Sequence, residues 1–261
     1  MKLPCKLRVL LISFLLMITA ALQANAVKRY YYQLKIYHYK TQAQESIIDR
    51  YLKDAYVPAM HRANIANVGV FKPLAQDTAD RKIYVFTPFT TIDKLTQTDQ
   101  KLQADTRYLT DAEDYLNASY KDAPYTRIET LILWAFPMMP APAVPQLFAK
   151  KADRVYELRS YESPTEKYHH NKVRMFNDGD EVGLFKRLGF NAVFYSQVIS
   201  GAHMPNLMYM TTFNSKEDRD KHWDAFGKDA YWKTLSAKEE YQNNVSHVDI
   251  TFLYPTDFSD Y

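Results

Sequence analysis

The chain has 261 residues, 47% of them hydrophobic and 24% charged, with a formal net charge of +3. That balance suits one large globular domain or two small ones, and excludes disordered, collagen-like and fibrous classes. Lys2, Lys6 and Arg8 precede residue 27 and no acid does, so the remaining 235 residues carry 30 basic and 30 acidic side chains and lack the basic footprint of a nucleic-acid binder.

Val9 to Leu22 is an apolar run of 14 residues, short of the roughly 20 that a spanning helix needs. Ala24-Asn25-Ala26 then places small residues at both recognition positions of a signal peptidase. Residues 1–26 therefore read as a signal peptide cut before Val27. The expectation is an exported, periplasmic protein with no stable membrane insertion after cleavage. Cys5 is the one cysteine and leaves with the signal, so disulfides, thiolate nucleophiles and Cys-ligated metals are excluded.

The rest of the chain reads as two similar halves. Tyr32-Gln-Leu34-Lys35-Ile-Tyr37 returns as Tyr156-Glu-Leu158-Arg159-Ser-Tyr161 at an offset of 124, Phe89 returns as Phe213 at the same offset, and Val70-Phe71 returns as Val193-Phe194 at 123. In the first half, residues 30–39 alternate as a strand does, and 42–64 has helical spacing that Pro58 kinks or interrupts. Residues 68–74 and 83–89 are strands around a polar turn, 92–116 is one broken helix or two, and 126–136 is a closing strand. Pro137, Pro140, Pro142 and Pro145 make residues 137–152 a stiff, extended linker. The second half repeats the plan: a strand over 154–161, a helix from 165 broken at Asn177-Asp-Gly-Asp180, strands over 190–200 and 205–213, a helix from 215, and a strand over 245–254. Two strand-helix-strand units around a central hairpin predict a ferredoxin-like α+β fold for each half, residues 27–136 and 153–261. Tandem copies would set two sheets face to face with helices outside, as an α+β barrel of the dimeric type.

The second half resembles the NIPSNAP family of the dimeric α+β-barrel superfamily. The resemblance rests on Tyr156-Glu-Leu-Arg-Ser-Tyr161, Phe176-Asn-Asp-Gly-Asp-Glu181 leading to Leu184-Phe185, Met204-Pro-Asn-Leu207, Asp218-Arg-Asp-Lys-His-Trp223 with Phe226, Tyr231-Trp232, and Tyr254-Pro-Thr256. These run in family order over residues 153–261. The first half keeps the Tyr-x-Leu-Lys-x-Tyr strand but lacks the helix tryptophans. The resemblance implies the barrel and homo-oligomers; it implies no defined reaction, and the wider superfamily includes monooxygenases and haem-degrading enzymes.

Two groups of residues are candidates for function. Strand alternation puts Glu157, Arg159 and Tyr161 on one face and Tyr156, Leu158 and Ser160 on the other. With Leu34 and Leu158 assigned to the helix-covered core, Glu157, Arg159 and Tyr161 are expected to face the barrel interior, either orienting a polar ligand or holding the sheets as a self-satisfied ion pair. Arg219, His222, Trp223 and Phe226 share a helix face. With Trp232, Met204 and Asn206 they are candidates to line a mostly aromatic pocket for a small, partly apolar molecule; the plain alternative is that the rings are core.

No cofactor or metal is expected. His169-His170 diverge by about 100° on a helix and cannot chelate one ion, and no His-x-x-x-His spacing occurs. Haem ligation by His222 is the least poor of the haem options. Only six glycines occur, with no Gly-x-Gly-x-x-Gly, phosphate loop or Gly-x-Ser-x-Gly elbow, against nucleotide-dependent and serine-hydrolase chemistry. The expected role is ligand binding. The alternatives are a cofactor-independent monooxygenase- or isomerase-type enzyme in the helix–sheet cleft, and a structural or assembly protein acting through subunit contacts.

Overall fold

The structure, a computed structural model, describes residues 27–261; the signal-peptide expectation lies outside them. Eight antiparallel strands form one closed barrel. They are β1 (Tyr31–Tyr39), β2 (Gly69–Pro73), β3 (Arg81–Phe89), β4 (Arg127–Ala135), β5 (Val155–Glu162), β6 (Asn191–Ser200), β7 (Asn206–Phe213) and β8 (His247–Pro255), in the order β1-β3-β2-β8-β5-β7-β6-β4. By halves, β4-β1-β3-β2 and β8-β5-β7-β6 run in the same order. Within the halves β1–β3 has nine register pairs and β5–β7 eight, while β2–β3 has three. The seams between halves are short: three pairs join β2 to β8, and four, with a bulge, join β4 to β6.

The helices begin where their caps dictate. Thr41 forms a capping box with Gln44 and starts α1 (Gln42–Arg50), which runs through a π-helical turn at Tyr51–Tyr56 into α2 (Val57–Arg62). Pro58 has no N–H to give the preceding turn, and the change of helical spacing falls just ahead of it. The segment expected as one or two helices is three: α3 (Ile92–Ala104), α4 (Thr106–Asp111) and α5 (Glu113–Leu116). Asp105 makes the break, because its carboxylate leaves the helix to accept from Tyr108 N–H at 3.0 Å. In the second half Gly179-Asp180 separate α6 (Glu166–Asn177) from α7 (Glu181–Arg187), Ser215 caps α8 (Lys216–Lys228), and Asp229 caps α9 (Ala230–Ser236).

The barrel interior is one apolar cluster to which every strand contributes: Tyr32, Phe71, Phe86, Leu133, Leu158, Phe194, Met210 and Leu253, from β1, β2, β3, β4, β5, β6, β7 and β8. Tyr261 closes it, packed 5.9 Å from both Phe71 and Phe86. An eight-stranded barrel is just wide enough to be filled by side chains. Helices cover the outside in two further clusters, one per half.

This arrangement reverses the expected faces of β1 and β5. Leu34 and Leu158 fill the barrel, while Glu157, Arg159 and Tyr161 point outward beneath the helices of the second half. Burial explains the choice. The interior cluster is aromatic and aliphatic, whereas α8 carries the donors that a buried carboxylate requires. The linker also differs from a free spacer. Pro140 O accepts from Tyr30 N–H and Ala143 N–H donates to Val193 O, so the segment lies against the sheet.

Candidate functional site

Glu157 is the centre of the second half's helix–sheet layer and is wholly buried. Arg219, one turn into α8, donates from Nε to Oε2 and from Nη2 to Oε1, each at 2.8 Å. Four residues on, Trp223 donates its indole N–H to Oε2 at 2.8 Å, and Arg159 donates Nε–H to Oε1 at 2.6 Å. Burial alone would raise the Glu157 carboxyl, but the hydrogen bonds and charges of Arg219 and Arg159 outweigh it and hold the group below its ordinary range. The Arg159 guanidinium also lies 3.7 Å over the Trp223 ring.

From Arg159 the network runs along the strand. Its Nη1 donates to Tyr161 Oη at 2.8 Å, and that hydroxyl is 2.8 Å from Tyr209 Oη. Arginine cannot accept, so Tyr161 receives from Arg159, and the two hydroxyls share one further hydrogen bond. A second buried pair, Lys172 Nζ and Glu181 Oε2 at 3.0 Å, fills the same layer. Burial raises the Glu181 carboxyl, and Lys172 offsets this only in part. Two carboxylates of one layer, Glu157 on β5 and Glu181 on α7, are thus displaced in opposite directions, because one has two guanidiniums and an indole while the other has one ammonium.

The predicted pocket residues divide. Arg219 and Trp223 are spoken for by Glu157. Phe226 stacks on Phe185 at 4.8 Å and lies 4.4 Å from Trp232, as core. His222 donates Nδ1–H to Asp218 O at 2.7 Å, and its ring packs against Phe190 and Phe213 at 5.6 and 5.5 Å. A Cβ added at Gly189 would stand 3.2 Å from its Nε2, which leaves little room there for a haem. Met204 and Asn206 are not brought to this group. They sit at the opposite end of β7 from Phe213, about 20 Å along the strand. Met204 is half exposed, and the buried Asn206 is on the barrel-interior face, donating to Ser160 Oγ at 2.8 Å.

An open cleft adjoins this aromatic cluster from the other side. About 370 Å³ in volume, it lies between the linker and the outer face of α7 and β6, with Met138, Val144, Pro145, Val182, Phe190 and Tyr195 as apolar walls and Lys186 as its charged group. Phe190 is the shared wall, edge-on to Trp223 at 5.1 Å. Sequence reasoning missed this cleft because half of it is the linker, whose prolines read as a spacer. It also missed three buried hydroxyls in the barrel, those of Tyr32, Tyr156 and Tyr261, which have no hydrogen-bond partner among the described residues. Burial raises all three.

Residues 156–260 match the family profile NIPSNAP. A search of the curated proteins finds no match. Among solved structures, the chain is similar to a candidate monooxygenase from Lactobacillus acidophilus NCFM at 14% identity and TM-score 0.53, over 87% of this chain and 94% of that one. It is similar to another from Fusobacterium nucleatum subsp. nucleatum at 6% identity and TM-score 0.54, over 88% and 94% of the two chains. A NIPSNAP family protein from Agrobacterium tumefaciens aligns at 20% identity and TM-score 0.36, over 41% of this chain and 97% of its own. The second half is therefore NIPSNAP-like, in a mixed helix–sheet barrel whose fold is shared with the two longer neighbours.

Proposed function

We propose that this chain is an exported carrier or sensor of a small, partly apolar molecule, held in the cleft between the linker and the α7–β6 face. The observation that carries this reading is the make-up of the cleft. Its ~370 Å³ lies within the range of small-molecule sites, its walls are apolar, and Lys186 stands at the rim where an anionic or acceptor group of the ligand would sit. The predicted aromatic helix face then acts from behind, through Phe190, rather than by contact. Likeness in fold to a candidate monooxygenase is no ground for oxygen chemistry here.

Two ferredoxin-like units, 27–136 and 153–261, are read as a fused pair that builds within one chain what two copies of a single unit would build together. Residues 1–26 are read as the export signal; sequencing the N-terminus of protein recovered from the periplasm should begin at Val27, and an intact Met1 would overturn export with cleavage.

Anilinonaphthalene sulfonate, an aromatic probe with one anionic group, tests the cleft. Saturable binding of one dye per folded chain is expected. Val144→Trp, on the exposed linker wall, should abolish it, and Lys186→Ala should weaken it several-fold, with thermal midpoints unchanged in both. Dye binding that survives Val144→Trp would place the ligand elsewhere.

A further inference from the structure

At one end of the barrel the strand register gathers residues that are far apart in sequence. Glu162, the last residue of β5, lies directly across from His247 on β8 and from Asn206 on β7. Asp249 follows His247 by two residues, so it shares that face of the sheet one row further in. The ligating atoms of Glu162, His247 and Asp249 all fall within 4.8 Å of one another. His247 Nε2 is 3.1 Å from Asp249 Oδ1. A second imidazole arrives from the β6–β7 turn, where His203 places Nδ1 at 2.8 Å from Glu162 Oε1.

We propose that this barrel mouth is a site for a borderline first-row divalent cation of the zinc, cobalt or nickel kind, ligated by Glu162, His247 and Asp249. The donor set decides the class. One imidazole and two carboxylates suit these ions better than magnesium or calcium, which take oxygen alone, and better than copper(I), which prefers sulfur. Metal–ligand distances of about 2.0–2.2 Å require the three donors to draw together by on the order of 1 Å, within reach of side-chain rotation at this partly open position. His203 is a positioning residue: its Nδ1, 2.8 Å from Glu162 Oε1, steadies that carboxylate from the turn.

Asn206 gives a second observation pointing the same way. It is 1% exposed, it is the cross-strand neighbour of Glu162 on the same face, its Nδ2 donates to Ser160, and its Oδ1 has no donor among the described residues. A water on the cation would supply that donor. Such a water would complete the coordination that three protein ligands leave open.

The test is Co²⁺ titration of the untagged full chain after chelator treatment, followed by visible absorption and by metal content after dialysis. One ion per chain is expected, with d–d bands in the visible, displaced by Zn²⁺. His247→Ala and Asp249→Asn, both at exposed positions, should remove the bands while leaving the thermal midpoint of the metal-free protein unchanged. His203→Ala should weaken Co²⁺ about 10- to 100-fold without removing the bands, as expected of an outer partner. No saturable Co²⁺, or binding indifferent to His247→Ala and Asp249→Asn, overturns the site. Equal losses from His203→Ala and His247→Ala would overturn the division between positioning and ligating residues.

Discussion

The two halves of the barrel share strand order but solve the same burial problem with different chemistry. At an offset of 124, Gln33 stands where Glu157 does, Lys35 where Arg159 does, and Thr91 caps α3 as Ser215 caps α8. Along those helices Leu95 replaces Arg219 and the exposed Asp99 replaces Trp223. At this position the first half therefore lacks the buried carboxylate and two of its three donors, keeping only Lys35 in the place of Arg159. Its helix layer is joined through tyrosines: Tyr51 Oη meets Tyr108 Oη at 3.0 Å, Tyr51 stacks on Tyr115 at 3.8 Å, and Tyr37 meets Tyr125 edge-on. The second layer holds its charge as a fully buried carboxylate with two guanidiniums and an indole, whereas the first shares the Lys72 ammonium between Glu45 and Asp49, at 2.6 Å each, in a less deeply buried place. A buried charge is tolerable only with all its partners.

The strongest way to break this comparison is to remove one member of the set. Glu157→Ala takes the shared carboxylate from two guanidiniums and leaves an indole N–H unpaired, and should cost about 3–5 kcal/mol in denaturant unfolding. Gln33→Ala at the equivalent site should cost under about 1 kcal/mol, as for partly exposed positions away from such networks. Equal losses at the two sites would mean that the Glu157 network is not what holds the second layer. Next in size, Gln33→Glu sharpens the contrast by placing a carboxylate where Leu95 offers no donor. A loss of about 1–3 kcal/mol is expected, recovered in part by adding Leu95→Arg. Arg219→Lys should cost less, on the order of 1–2 kcal/mol, because an ammonium cannot make the paired contact with both carboxylate oxygens.

The smallest effect is a slope. Glu157 has a folded pKa below its ordinary value of 4.5, so its contribution is fully present above that pH and is lost as pH falls through the lowered value. Glu181 has a raised pKa, so its contribution has the opposite sign: it is present at low pH and lost as pH rises from about 4.5 through the raised value. In urea midpoints measured against pH, Glu157→Gln should flatten the acid limb, and Glu181→Gln the decline above it. The same flattening from both variants would show that the two carboxyls are not oppositely displaced.

The mixed helix–sheet fold was legible because the alternation in β1 and β5 and the helical spacing between strands are local signals. Alternation correctly separated Glu157, Arg159 and Tyr161 from Tyr156, Leu158 and Ser160. It could not tell which face was inside, since both faces of a helix-covered barrel strand are buried. The deciding clue was present in the sequence but pointed elsewhere. Arg219 and Trp223, one turn apart, are the donors that Glu157 needs, while helical spacing alone reads them as the lining of a ligand pocket. The assembly of Glu162, His203, His247 and Asp249 depends on β5–β8 register and on a turn, neither of which spacing reveals.

The short seams described above set how separable the halves are. Each half taken alone would present two raw strand edges, β2 and β4 in the first and β6 and β8 in the second. Unpaired edges recruit whatever strand is nearby. Here the other half of the same chain is nearest, but three or four rungs at each seam hold it there. A neighbouring chain offers the identical edges, so exchange of halves between molecules is the arrangement that competes with the closed single-chain barrel. The linker's hydrogen bonds from Tyr30 to Pro140 and from Ala143 to Val193 oppose that exchange, since both must be peeled before residues 137–152 can span two barrels. On this view the prolines serve less to separate the halves than to keep each chain closed upon itself.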